Sequence, residues 1–159
     1  MDHMRIAVEV TRDYPLFGVG PMNFPTMHSR YASTYTEPHS IWLKCSAEHG
    51  LTMLGLFVGA IVWVQVSLRT IALRARREKE SGTERLAVAL ACSIVGFLAA
   101  GTFTSQFLSE YLWAIFALSG AFIASEKARF REQDDAAFRA HARRQSTGGA
   151  APRPVFTGA

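Results

Sequence analysis

The sequence predicts an all-α integral membrane protein with an extracytoplasmic N-terminal loop region and three transmembrane helices, two being the alternative count. Three observations predict it. Stretches 50–68, 86–109 and 111–125 hold no Asp, Glu, Lys or Arg over 19, 24 and 15 residues. These runs are separated only by a basic linker and Glu110, so helices built from them have too little polar surface to face water in a soluble layered fold. Basic residues then gather between the first two runs and after the third, as membrane flanks require.

The head, residues 1–49, is polar and mixed. Within it MRIAVEVTRD (4–13) places Met4, Ile6, Ala7 and Val10 at helical spacing, which predicts a short amphipathic helix. The helix stops ahead of Pro15, because the residue before a proline is pushed out of the α region. PLFGVGPMNFP follows, a turn-rich loop with glycines at 18 and 20 and prolines at 15, 21 and 25. Its GxG is no dinucleotide fingerprint: no strand precedes it, and Asn23 stands at the third glycine position. Residues 26–36 read as a polar and aromatic loop, with Tyr31, Tyr35 and Trp42 suited to a membrane interface. A helix is predicted from Pro38, where the missing N–H costs nothing. That places His39 in its first turn, pairs Lys44 with Glu48, and leaves Gly50 to permit a bend.

A membrane span needs about 20 apolar residues. The predicted spans are 50–68, 86–104 and 107–125, the last with Glu110 in its first turn. The linker 69–85 carries six basic residues against three Glu. The tail 126–159 carries seven against four acids, reads as a continuing or surface helix, and is expected to be disordered from 146. The head has four basic residues against five acids. With three spans, linker and tail share the cytoplasmic side and the head lies outside. The net charge of +4 then calls for no nucleic acid; anionic inner-leaflet lipids are its partner. No signal-peptide core occurs in MDHMRIAVEV, so the expectation is that the chain continues a longer membrane protein whose earlier helices precede it; unaided translocation of the head is the alternative. Cys45 and Cys92 form no metal pattern and read as two unpaired thiols, and no metal or cofactor is implied.

His39 and Ser40, nine residues, then Gly50, two residues and Met53 resemble a motif of the O-antigen ligase family and its polysaccharide-polymerase relatives. That motif closes a large periplasmic loop and leads into the penultimate membrane helices. A second glycine is usual where Met53 stands, and Gly55 is off register. The segment RDYPLFGVGPMNF (12–24), a helix ending in proline and a GVGP-type turn, also looks like the loop of this family, with Gly18, Gly20, Pro21 and Gly50 as its structural positions. The resemblance covers residues 5–125. It implies the C-terminal part of a multi-pass glycosyltransferase of the bacterial inner membrane, N-terminal segment periplasmic and C-terminus cytoplasmic. The enzyme would move a glycan from an undecaprenyl-diphosphate carrier to an acceptor glycan or protein hydroxyl, without cofactor or metal. The missing N-terminal half of the same protein would be a further partner.

Physical reasoning adds roles. A histidine in a helix's first turn is favoured as the neutral imidazole, which can accept an acceptor hydroxyl's proton, so His39 is the candidate general base. The alternative is that it only caps the helix. Ser40 is an orienting group, having no acid–base pair to make it a nucleophile. A diphosphate needs cationic partners, and Arg12 and Arg30 are the substrate-binding candidates, though neither matches an arginine position of the family. The chain could equally be a polymerase of the same fold, or a small non-catalytic membrane interaction protein. Single cysteines placed at Ser33 and Ser81, in a chain otherwise lacking cysteine, are expected to react with an impermeant maleimide from opposite membrane faces. Same-side labelling overturns the topology.

Overall fold

The computed structural model describes residues 2–31, 39–103 and 110–148. Among them are five helices and no strand: α1 (Asp2–Asp13), α2 (Phe24–Tyr31), α3 (Ile41–Arg77), α4 (Ser81–Gly101) and α5 (Glu110–Gly148). Met1–Ile123 form one compact unit and Ala124–Ala159 a second.

The first unit is organised by a break. At Gly50 the backbone adopts φ 78° and ψ 175°, inside α3. Only glycine occupies that region readily, since a Cβ there meets its own backbone. Along a straight helix Trp42 and Phe57 would stand about 22 Å apart. Their ring centroids are instead 5.8 Å apart. Residues 41–49 therefore fold back over the start of 51–77, and Ile41 and Cys45 join Phe57 and Leu112 in one apolar cluster. The same segment covers the end of α4. A Cβ on Gly101 would lie 2.9 Å from Ile41 Cδ1, and Trp42 Nε1–H donates to Thr102 Oγ1 at 3.1 Å.

Beyond the break α3 pairs with α4 as a hairpin, tied midway by Gln65 Nε2–H donating to Ala91 O at 3.1 Å. The basic linker expected over 69–85 is itself mostly helical. Only 78–80 lie outside helix, because Arg- and Ala-rich sequence propagates α3 past the apolar run. The turn closes with Lys79 N–H to Arg76 O (3.3 Å) and Glu80 N–H to Ala75 O (2.8 Å) around Lys79 at φ 60°. These are the two bonds of a Schellman stop.

On the opposite side of 41–49, α1 and α2 supply Ile6, Ala7, Val10 and Phe24 to a second cluster with Ala47. Met4, expected on the apolar face of α1, is exposed. The loop expected over 26–36 is helical as far as Tyr31. Phe24 and His28, four residues apart, bury one face of α2 against this cluster's side of the fold, and their rings sit 5.9 Å apart. His28 is thereby fully buried. Residues 32–38, with Tyr35 and Pro38, lie outside the described residues.

Among the described residues, α3 and α4 are the helices long and apolar enough to cross a membrane. Only 22% of the most apolar window of each is buried, so most of their Leu, Val and Trp side chains face outward. The start of the expected third span, 107–109, lies outside the described residues, and α5 begins at Glu110. Residues 149–159, most of the tail expected to be disordered, lie outside the described residues, and α5 runs through Gly148. Arg129 there pairs with Glu126 at 2.7 Å and lies 5.0 Å over the Phe130 ring.

Replacing Gly50 by Ala is expected to cost more than about 2 kcal/mol, combining left-handed strain with overlap of the Leu16 backbone. Gly59→Ala, at a helical position with nothing near the added methyl, should be neutral or stabilising by up to about 1 kcal/mol. Thermal unfolding of both variants in the same detergent checks the pair.

Candidate functional site

A helix that breaks leaves carbonyls on one side and amides on the other without their next-turn partners. In α3 the Pro15–Pro21 loop supplies them. Val19 N–H donates to Ala47 O at 3.0 Å and Gly20 N–H to Glu48 O at 2.8 Å. Leu51 N–H, on the far side, donates to Pro15 O at 2.8 Å. In an unbroken helix Leu51 would have bonded Ala47 and Thr52 would have bonded Glu48, so the loop stands in for the missing turn. This approach demands glycine on both sides. A Cβ on Gly18 (φ 65°) would overlap the backbone of Glu48, and one on Gly50 would overlap Leu16. Gly20, also at positive φ, bonds next to it, and Pro21 follows. The four structural positions singled out in the sequence are thus brought to one place.

The candidate base is placed differently from expectation. α3 begins at Ile41, with Ser40 as its N-cap residue in extended backbone. His39 therefore precedes the cap and lies outside the first turn, where the dipole argument placed it. Ser40's side chain makes no cap hydrogen bond, yet the residue is buried, while its carbonyl accepts Lys44 N–H at 2.9 Å. His39 is exposed. Its accessibility suits a group that must meet an acceptor; a helix-tuned imidazole is not what holds it.

Beside the break, between α1 and residues 41–51, lies an open cleft of about 460 Å³. Val8, Pro15, Leu43 and Leu51 make its walls apolar, and Arg12, in the last turn of α1, is the charged residue among those lining it. Thr11 Oγ1–H donates to Ser46 Oγ at 3.1 Å, whose hydroxyl donates to Leu43 O at 3.1 Å, tying α1 to α3 along the cleft. Arg30 is exposed on α2 and is not a lining residue; neither is His39. The structure joins Arg12 to the glycine lock and leaves Arg30 apart from the cleft.

Sequence reasoning assigned Glu48 to Lys44. In the structure Glu48 is fully buried and neither carboxylate oxygen has a hydrogen-bond partner among the described residues. Burying a carboxylate without donors is costly. Its position two residues before the break glycine was the available signal. Cys45, one turn earlier and fully buried, feels it: burial, and then the Glu48 charge, push the thiol up to about 11. Cys92, by contrast, is exposed, and both cysteines are free. Among the described residues no group of His, Cys, Asp and Glu is disposed to hold a metal ion.

Comparison with protein-family models, curated proteins and solved structures finds no match for the chain.

The raised Cys45 pKa lowers its thiolate fraction at pH 8 about 100-fold against an ordinary thiol, partly offset by the greater nucleophilicity of a more basic thiolate. Alkylation of Cys45 in the folded chain is thus expected to run at least about tenfold slower than after denaturation. Because the folded thiol titrates higher, this group's contribution to stability holds below pH 9 and falls as pH rises through 11. Mass spectrometry of maleimide-treated protein, folded and unfolded, checks the rate.

Proposed function

We propose that the chain is the C-terminal part of an O-antigen ligase-like glycosyltransferase of the bacterial inner membrane. It would move a glycan from an undecaprenyl-diphosphate carrier to an acceptor hydroxyl. In this reading α3 beyond Gly50, α4 and the first part of α5 are three spans, the head is periplasmic, and the tail is cytoplasmic.

The observation that carries the reading is the cleft beside the helix break. It has apolar walls with Arg12 among its lining residues, at the level where the apolar run of α3 begins, a combination suited to a lipid-linked diphosphate. The resemblance of the H39-S40-x9-G50 and GVGP segments supports it, since the structure gives their glycines a common task. His39, exposed at the outer end of α3, is the proposed general base, and Ser40 fixes the turn that presents it. Arg12 is the proposed diphosphate partner. Arg30 has the weaker claim, being away from the cleft.

A second reading, a non-catalytic membrane interaction protein, is favoured by one feature. Leu16, Phe17 and Met22 project from the docked loop with 64%, 78% and 72% of their surface exposed, more than a loop serving only to position a site needs.

His39→Ala, introduced into the protein as its gene encodes it, is expected to lower glycan transfer at least about 100-fold while leaving the protein's membrane level unchanged. Arg12→Ala should raise the carrier concentration needed for half-maximal rate. Transfer unchanged in His39→Ala removes the base assignment and favours the second reading.

A further inference from the structure

At the opposite end of the α3–α4 hairpin from the glycine lock, residues of both helices line a second groove of about 490 Å³. Its α3 wall carries Gln65, Arg69, Ala72 and Arg76, spaced four, three and four residues apart and so on one helical face. Val66 and Leu73 flank that face, and Ala87, Val88 and Ala91 of α4 make the facing wall. The Gln65–Ala91 hydrogen bond closes the deep end. Arg69, the first charged residue after the apolar run, and Arg76 stand about 10 Å apart along the helix axis. Glu84 is the one acidic residue lining the groove, which leaves it a net positive lip above an apolar floor.

That polarity fits one occupant. We propose that the groove binds an anionic glycerophospholipid of the leaflet on this side, its phosphate held between Arg69 and Arg76 and an acyl chain lying against Val66, Leu73 and Val88. Charge complementarity selects the anionic headgroup, and the apolar walls select a molecule that enters from the membrane rather than a soluble phosphate. A bound lipid would fill the groove that the side chains of α3 and α4 leave open, and so brace the hairpin. The site rests on the membrane-spanning reading of α3 and α4 but is independent of the glycosyl-transfer chemistry.

The test uses the full chain. Flotation with phosphatidylcholine vesicles first establishes insertion; if the chain stays with the soluble fraction, the membrane reading falls and this site with it. Native mass spectrometry of the inserted protein, released in detergent with phosphatidylglycerol or phosphatidylcholine, then reads binding. Phosphatidylglycerol is expected to bind at least about tenfold more tightly than phosphatidylcholine, with inorganic phosphate failing to compete. The double variant Arg69→Ala/Arg76→Ala should lose that preference. Arg77→Ala/Arg85→Ala removes the same charge from residues outside the groove and should keep it. Equal loss in both double variants means diffuse surface attraction and overturns the proposal. So does an inserted wild-type chain with no preference between the two lipids, or one displaced by millimolar phosphate. Val88→Trp, which fills the groove without touching its charge, should weaken phosphatidylglycerol binding as the arginine pair does.

Discussion

Everything in the first unit depends on a peptide backbone that one residue type allows. With Gly50 at φ 78° and ψ 175°, α3 turns back on itself, and the Pro15–Pro21 loop fills the gap with its own amides and carbonyl. The two halves of the device are mutually necessary. Without the loop, Ala47 O, Glu48 O and Leu51 N–H would be left without partners beside an apolar cluster, each at a cost of about 1–3 kcal/mol. Without the break there would be no free groups for the loop to bond. Gly18 completes the constraint, since the loop reaches Glu48 only where it lacks a side chain.

The lock also explains why the head is compact despite its polarity. Ala47 is the hub. Its carbonyl takes the loop, while its methyl packs with Ile6, Ala7, Val10 and Phe24 of the two head helices. Two residues earlier, and so on the opposite face of the helix, Cys45 packs with Phe57 and Leu112. The segment 41–49 is thus buried on two faces, which accounts for polar residues such as Lys44, Ser46 and Glu48 lying inside. Sandwiching a segment between two clusters fixes its rotation, and that is the condition for holding His39 and Ser40 at a defined place just ahead of it.

How much of this was legible in the sequence varies with the range of the interaction. The apolar runs behind α3 and α4 and the face of α1 made by Ile6, Ala7 and Val10 are periodic and local, and they were read correctly. Gly50 was read as a possible bend, and Gly18 and Gly20 as turn residues. That they bind one another was not readable, because the contact joins positions some thirty apart through backbone atoms that carry no residue code. The helix of 24–31 was missed because its length is eight residues and its support is tertiary: Phe24 and His28 are buried against other elements rather than favoured by propensity. The burial of Glu48 was missed for a related reason. An i,i+4 partner in the sequence suggested a surface pair, and the loop that covers this segment comes from elsewhere in the chain.

The folded-back segment gives the proposed chemistry its geometry. On a straight α3, Ile41 would stand about 14 Å beyond Gly50 along the axis, and His39 further still. Instead Ile41 touches Gly101 and Trp42 bonds Thr102, so the start of α3 lies at the level where α4 ends. If α3 and α4 span a bilayer, that level is one of its boundaries, because the apolar run of each helix stops there, and in the proposed topology it is the outer one. A carrier lipid presents its diphosphate at the same depth. The break therefore does more than admit a loop: it keeps Arg12, the apolar cleft and His39 at the end of the hairpin where α4 stops, which is the geometry the proposed transfer from a membrane-bound donor needs.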